Sequence, residues 1–234
     1  MSPVKAILFT DFDGTITKQD SNDFLTDNYG MGYEKRRALN KQVISGEKTF
    51  REIFKEMMDS IKLPFKKCVD LVLENIELDP GFNDFYTWSL ENNVPVIVLS
   101  SGMEPIIRAL LTKLVGESAQ SIKIVSNNVK LEDEGNSWEI VYHDDSDFGH
   151  DKSSTIKKYL KPGRPILLYA GDGISDVSAA KETDLLFAKK GQDLITYCKQ
   201  QNIKYTEFET YASIHERIAK IVDGTETVDS IVSK

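Results

Sequence analysis

Short runs of apolar residues recur along the chain, and turn residues and a helical pattern follow each run. The two clearest runs, 4–9 and 95–99, are apolar at nearly every position rather than at alternate positions. Such runs are typical of strands that are buried on both faces, as in a parallel sheet covered by helices. Further runs and helical stretches continue the alternation. The runs are 122–125, 166–170 and 185–188, and the helical stretches are 82–91, 104–115, 151–160, 175–181 and 194–201.

This alternation predicts an α/β fold with a Rossmann-like parallel sheet, in which ligands gather at the carboxyl ends of the strands. The segment 18–79 is too long for one crossover helix, and its apolar residues recur three and four positions apart. We therefore predict a core domain of residues 1–17 and 80–234 with a small α-helical cap domain, 18–79, inserted into it. The segments 129–131 and 138–141 predict a β-hairpin.

Composition narrows the class of protein. Hydrophobic residues make up 40% of the 234 residues, enough for a substantial core, and the net charge of −8 repels a polyphosphate backbone. Cys68 and Cys198 are far apart, which argues against a disulfide framework or a zinc cluster. The run 4–9 is too short to span a bilayer and lacks the features of a signal peptide. We therefore expect a cytoplasmic protein that binds neither nucleic acid nor membrane and has no obligate protein partner.

Polar residues follow the predicted strands at the points where a parallel sheet would bring them together. Asp11 and Asp13 come directly after the first strand. Two carboxylates this close repel each other unless a cation lies between them, and Mg²⁺ suits a site that also receives a phosphate. Gly14 permits a sharp turn and the close approach of backbone N–H groups to an anion. These residues predict a divalent-cation site beside the first strand.

Two further groups can bind an anion. Ser100, Ser101 and Gly102 end the second strand and open a helix, so their hydroxyl and N–H groups could form a phosphate seat. Lys152 lies near the start of another predicted helix and could neutralise phosphate oxygens. In isolation, however, serine before glycine is a common helix cap, and a single lysine is usually a surface residue.

Asp172 and Asp176 follow the fourth predicted strand and add two more carboxylates. Each could be only a turn or capping residue, because acids are favoured in a first helical turn. The order, residue types and strand-end positions of all four groups together fit one phosphate site built around a cation.

The four groups resemble the signature of the haloacid dehalogenase-like (HAD) hydrolase superfamily, specifically members with a helical cap between the first two motifs. The resemblance covers about residues 4–191 and implies a magnesium-dependent phosphatase. It implies that Asp11 is the nucleophile that forms an aspartyl-phosphate. Asp13 would protonate the leaving oxygen and then activate water, and Lys152 would stabilise the transferring charge. Such chemistry depends mostly on positioning and charge neutralisation.

The resemblance also implies which residues bind the ion and the phosphate. The metal ligands would be Asp11, the backbone carbonyl of Asp13 and Asp172, with Asp176 supporting either the metal or Lys152. The substrate phosphate would contact a second set of residues. That set is Asp11, Ser100, Ser101, Gly102 and Lys152.

The substrate stays open among small phosphate monoesters. Within the superfamily the chain is similar to phosphoserine phosphatases, to 2-hydroxy-3-keto-5-methylthiopentenyl-1-phosphate phosphatases and to phosphocholine-type phosphatases. Asp20 stands where phosphoserine phosphatases carry an acid that faces the substrate amine. Lys55 falls about where they carry a carboxylate-binding arginine, and a lysine is a point charge rather than a planar fork. Arg51, Lys41 and Arg36 are other candidates for a basic cap wall.

Two alternatives differ in what happens to the phosphoryl group. A phosphomutase of the same superfamily would return it to a sugar, which analysis of the products would reveal. A receiver-like signalling domain would keep it on an aspartate without turnover. Receivers are much shorter, carry no helical insertion and place the phosphorylated aspartate after a mid-chain strand, so we favour this alternative least.

Overall fold

The computed structural model describes residues 3–232, with the side chain of Ile44 left out of the description. Within this part the chain divides into two compact units. The first unit comprises 3–16, 78–99 and 152–232, and the second comprises 17–77 and 100–151. The predicted division into a core and an 18–79 cap stays a prediction. It differs from the observed units mainly at 100–151, which group with the helices of 17–77.

Seven β-strands and eleven α-helices form within residues 3–232. The strands are β1 (Ala6–Thr10), β2 (Val96–Met103), β3 (Lys123–Glu132), β4 (Ser137–Val141), β5 (Ile166–Gly171), β6 (Leu185–Lys189) and β7 (Thr206–Phe208). The helices are α1 (Ser21–Tyr29), α2 (Tyr33–Ser45), α3 (Phe50–Asp59), α4 (Phe65–Asn75), α5 (Gly81–Glu91), α6 (Glu104–Val115), α7 (Lys152–Lys157), α8 (Val177–Ala180), α9 (Asp193–Gln201), α10 (Tyr211–Asp223) and α11 (Val228–Ile231).

A parallel sheet in the order β2-β1-β5-β6-β7 forms the centre of the first unit. All five residues of β1 are buried, as expected of a strand with helices on both faces. Leu8 of β1 aligns with Val96 of β2 and with Leu168 of β5. The ring of Phe82 in α5 packs edge-on against that of Tyr211 in α10, with centroids 4.9 Å apart. The predicted α/β fold class is confirmed.

Helices α1 to α4 and the β3–β4 hairpin belong to the second unit. The apolar face predicted from spacing is buried in α3, and its members are Ile53, Phe54, Met57 and Met58. Thr49 and Glu52 form a capping box at the start of that helix. The predicted hairpin is confirmed, with Leu131 of β3 opposite Trp138 of β4. The indole nitrogen of Trp138 donates a hydrogen bond to the carbonyl of Leu63 at 3.0 Å.

Several elements differ from the sequence-based expectation. Residues 123–125 of one predicted run and 129–131 of the next are parts of a single strand, β3, because its polar middle residues continue the extended backbone. The predicted helix 151–160 is regular only to Lys157, and i to i−3 hydrogen bonds close its last turn. Helix α10 and strand β7 were not predicted.

Within residues 3–232 no helix is both long and apolar enough to cross a bilayer. The cytoplasmic location stays a prediction.

Candidate active site

Asp11 lies at the carboxyl end of β1, the strand between β2 and β5 in the parallel sheet. Its backbone N–H donates to the carbonyl of Ala170 at 2.8 Å, which continues the pairing of β1 with β5 for one more residue. Its carboxylate oxygen Oδ1 accepts the N–H of Phe12 at 2.8 Å. The residue is 6% exposed, and Asp13 is buried in the turn that follows. Asp11 therefore presents a buried carboxylate held by the end of its own strand.

Lys152 begins α7 and extends its ammonium group to two carboxylates. Nζ lies 2.9 Å from Oδ1 of Asp11 and 2.7 Å from Oδ1 of Asp176. It also lies 3.3 Å from the hydroxyl of Ser175. Only 1% of the lysine is exposed. A buried ammonium is tolerable only when it is paired and hydrogen-bonded, and here both conditions are met.

Asp176 is buried and each of its carboxylate oxygens accepts two hydrogen bonds. Oδ1 accepts from Lys152 Nζ and, at 2.5 Å, from the hydroxyl of Tyr169. Oδ2 accepts the N–H groups of Asp172 at 2.9 Å and of Gly173 at 3.0 Å. Asp176 thus fixes both the lysine and the loop that carries Asp172.

Gly14 allows Asp172 to lie directly against the turn after β1. A Cβ atom at Gly14 would stand 2.2 Å from Oδ2 of Asp172, and φ at this position is +76°. Both conditions favour glycine, since the left-handed region costs other residues energy and no side chain fits the space.

Burial dominates the electrostatics of the site. It raises the pKa of Asp11 to about 7, and the neighbouring charge of Asp176 adds to the rise, while Lys152 opposes it. Burial alone would lower the pKa of Lys152, but Asp11 and Asp176 outweigh it and raise that pKa above its ordinary value. The ammonium therefore stays charged, whereas Asp11 needs a further positive partner to ionise fully near neutral pH.

The donor set fits a hard divalent cation. One carboxylate oxygen from each of Asp11, Asp172 and Asp176 lies within 4.8 Å of the others. Mg²⁺ prefers oxygen ligands and needs few protein carboxylates. Because each carboxylate oxygen of Asp176 already accepts two hydrogen bonds, Asp11 and Asp172 are the carboxylates better suited to face an ion. The predicted contribution of the Asp13 carbonyl stays a prediction.

Ser100, Ser101 and Gly102 belong to the part of β2 that lies in the second unit. Oγ of Ser100 accepts the N–H of Gly102 at 2.9 Å. Asn127 donates its amide Nδ2 to the carbonyl of Ser101 at 2.8 Å, and Nδ1 of His150 lies 2.9 Å from the carbonyl of Ser100. Within the described residues Oγ of Ser101 is buried without a hydrogen-bond partner. These contacts fix the backbone of the segment, and its predicted role in phosphate binding stays a prediction.

Asp20 and Lys55, two of the predicted specificity residues, make local structural contacts in the second unit. Asp20 is the N-cap of α1, and its Oδ1 accepts N–H groups from Asn22 and Asp23 at 2.7 and 2.9 Å. Lys55 is exposed and pairs with Asp59 at 2.6 Å. A helix cap and a surface ion pair explain these residues without a ligand, so their substrate roles stay predictions.

Arg51, the third predicted specificity residue, binds the loop before residue 151. Its Nη1 donates to the carbonyl of Asp144 at 2.6 Å, and its guanidinium carbon lies 4.4 Å from the centroid of the Tyr142 ring. Its backbone N–H donates to the carbonyl of Asp147 at 2.8 Å. The side chain of Arg36 also has protein partners, because it is buried and forms ion pairs with Asp23 and Asp27 of α1.

Sequence reasoning missed Tyr169 and Asn127. Tyr169 carries a hydroxyl inside an otherwise apolar run, Ile166 to Ala170, and this single polar atom in a buried strand is the signal that could have identified it. Asn127 lies between two apolar stretches of β3, and nothing local distinguishes it from a solvated strand residue.

Comparison with known proteins identifies the family of this chain. A model of the haloacid dehalogenase-like hydrolase family matches residues 8–181. The chain therefore belongs to this family. Polyol phosphate phosphatase PYP1 of Saccharomyces cerevisiae is 52% identical, over 98% of this chain and 99% of that protein. Pdp3-interacting factor 1 of Schizosaccharomyces pombe is also 52% identical, over 92% of this chain and 95% of that protein.

More distant relatives extend the comparison to the phosphatases that the sequence resembles. A 2-hydroxy-3-keto-5-methylthiopentenyl-1-phosphate phosphatase of Bacillus cereus is 28% identical, over 92% of this chain and 97% of that protein. A solved phosphoserine phosphatase, in a phospho-aspartyl intermediate analogue form, shares the fold with a TM-score of 0.62 and 20% identity. The match covers 84% of this chain and 91% of that one. The chain is a phosphoric monoester hydrolase, and its predicted family is confirmed.

Proposed function

We propose that this chain is a magnesium-dependent phosphatase that hydrolyses small polyol phosphates through an aspartyl-phosphate on Asp11. The observation that carries the proposal is the buried Asp11 carboxylate, in contact with the Lys152 ammonium at 2.9 Å and clustered with Asp172. Because burial disfavours its ionised form, the Asp11 carboxylate needs a further positive charge nearby. A cation bound together with the substrate phosphate would supply that charge.

The residues divide the reaction into two steps. In the first, a carboxylate oxygen of Asp11 forms a bond to phosphorus while the bond from phosphorus to the ester oxygen breaks. Asp13, by family resemblance, gives its proton to the leaving alkoxide, so that a neutral alcohol departs. In the second, Asp13 takes a proton from water as the water oxygen bonds to phosphorus and the bond from phosphorus to the Asp11 oxygen breaks, which releases inorganic phosphate and restores the Asp11 carboxylate.

Charge neutralisation accompanies both steps. Lys152 offers its ammonium to the phosphoryl oxygens, and Asp176 holds that lysine in place. Asp11 and Asp172 would hold Mg²⁺, which when bound would neutralise negative charge on the phosphoryl group. Ser100 and its neighbours would bind the phosphate through hydroxyl and N–H groups, as the resemblance implies.

The substrate class follows the relative at 52% identity that is named a polyol phosphate phosphatase. A polyol phosphate combines a phosphate with several neutral hydroxyl groups, so it needs hydrogen-bond partners rather than a counter-charge for its organic part. Arg36, Arg51 and Lys55 all have protein partners already, which agrees with a substrate that has no carboxylate to bind.

The test is phosphate release from glycerol phosphate and hexitol phosphates, measured beside phosphoserine, phosphocholine, pyridoxal phosphate and aldose phosphates. We expect activity with Mg²⁺, loss of activity with a chelator, and kcat/KM for polyol phosphates above that for phosphoserine. Asp11→Asn should abolish turnover, whereas Asp84→Asn, on the exposed face of α5, should not. Turnover by Asp11→Asn would exclude the proposed nucleophile. A preference for phosphoserine would exclude the proposed substrate class.

A further inference from the structure

Tyr169 is a fully buried residue of β5 whose hydroxyl is not required by the packing around it. In the register of the sheet it aligns with Phe9 of β1 and with Leu186 of β6, and both neighbours are apolar. A phenylalanine would fill the same space in this row. Burying a hydroxyl costs free energy unless it is hydrogen-bonded, so its partner decides what the group does.

The partner is the carboxylate that holds the lysine of the active site. The Tyr169 hydroxyl donates to Oδ1 of Asp176 at 2.5 Å, and Nζ of Lys152 approaches the same oxygen at 2.7 Å. Hydrogen bonds to an ionised carboxylate are short and strong. Burial and the charge of Asp176 raise the pKa of Tyr169 well above its ordinary value, so the hydroxyl keeps its proton and acts as a donor.

Gly171 makes room for this contact. A Cβ atom there would lie 2.5 Å from Oδ2 of Asp176 and 2.9 Å from Cε1 of Tyr169. Tyr169 and Gly171 are two positions apart on one strand and so share a face of the sheet. The absence of a side chain at Gly171 leaves the space in which Tyr169 and the Asp176 carboxylate come into contact. This is a second observation, besides the hydrogen bond, that supports a specific interaction between the two residues.

We propose that Tyr169 is a positioning residue for phosphoryl transfer, acting through Asp176 on Lys152. By donating a hydrogen bond to Oδ1 of Asp176, the hydroxyl partly neutralises the negative charge of that oxygen. This weakens the ion pair between Oδ1 and the ammonium of Lys152. Lys152 is thereby shared between Asp176 and Asp11, and it can follow the charge that develops on the phosphoryl group when Asp11 attacks. Without the hydroxyl, Asp176 would hold the lysine more tightly and away from the reacting atoms. This inference rests on the proposed function.

The test is a double-mutant cycle of Tyr169→Phe and Asp176→Asn, measured under single turnover with enzyme in excess so that slow variants still give a rate. Tyr169→Phe should lower the rate constant about tenfold, the scale expected for one hydrogen bond to a charged group. KM, measured separately at steady state, and the thermal midpoint should change no more than in Tyr86→Phe, a variant that removes another buried tyrosine hydroxyl, from α5. In the Asp176→Asn background the same change should cost less than about twofold, because the partner is already altered.

An equal loss in both backgrounds would show that Tyr169 acts by packing and not through Asp176. An unchanged rate constant in Tyr169→Phe would overturn the inference directly. If Asp176→Asn does not fold, the comparison of Tyr169→Phe with Tyr86→Phe decides alone, since only the former should separate the rate constant from KM. A wild-type protein that releases no phosphate with Mg²⁺ would instead refute the proposed function, so the two failures are distinguishable.

Discussion

Replacing Gly14 by alanine tests the contact between the turn after β1 and Asp172. The residue has φ of +76°, and the added Cβ would stand 2.2 Å from Oδ2 and 2.9 Å from Cγ of Asp172. Two costs follow from this geometry. The backbone must keep a left-handed conformation with a side chain attached, and the carboxylate must move away.

The two costs differ in size and in what they affect. The left-handed conformation costs alanine about 1 kcal/mol relative to glycine, which lowers the free energy of unfolding. Ordinary van der Waals contact requires the carboxylate to retreat by about 1 Å, and if Asp172 is a ligand of the proposed Mg²⁺ site, a displacement of that size should cost about 100-fold in rate. We therefore expect Gly14→Ala to be moderately less stable and nearly inactive.

Gly163→Ala is the matched control, because Gly163 has φ of +73° and a Cβ there would meet no atom within 4 Å. Urea unfolding should show similar losses of stability for the two variants. Phosphate release with Mg²⁺ should fall about 100-fold in Gly14→Ala and change little in Gly163→Ala. Equal activities in two folded variants would refute the argument that the position of Asp172 depends on the missing side chain.

Two further predictions concern pH and the second unit. Because the pKa of Asp11 rises from 3.8 to about 7 on folding, the metal-free protein should lose stability as pH rises through 7. Thermal unfolding of the metal-free protein at pH 5.5 and 7.5 should show this loss, and a loss of the same size in Asp11→Asn would contradict the assignment. Arg51→Ala should lower the free energy of unfolding by about 1–2 kcal/mol, because it removes the bond to Asp144 and the contact with Tyr142. Lys55→Ala should change it by less than about 0.5 kcal/mol, since exposed ion pairs contribute little, and equal effects in urea unfolding would contradict this reasoning.

The parallel sheet could be predicted because its strands leave a clear pattern. β1 and β5 are apolar at nearly every position, and both lie within about a residue or two of their predicted bounds. β7 has three residues, with one exposed between two buried, and so short a pattern cannot be told from a loop. Helix α10 did carry a signal, since Ile214, Ile218 and Ile221 recur at helical spacing and are buried.

The residues of the candidate site that follow directly after strands could be predicted from the sequence. Asp11, Asp172 and Asp176 converge because parallel strands end at one edge of a sheet, and this follows from sequence order. The partners of Arg51 were not predictable. They lie on a loop nearly a hundred residues away in the chain, at Tyr142 and Asp144, and only the folded backbone brings them to α3.

The pairing of β1 has a consequence for biosynthesis. Leu8 aligns with Val96 and with Leu168, so this strand leaves the ribosome long before either partner has been made. Pairings between residues so distant in sequence form slowly. Helices α1 to α4 make some of their contacts with one another, and these can form before the partners of β1 are made, whereas the bond of Arg51 to Asp144 must wait for the later chain. A nascent chain that stops before β5 therefore carries Asp11 without the loop that holds Asp172 and Asp176 beside it, and we expect such a fragment to be inactive.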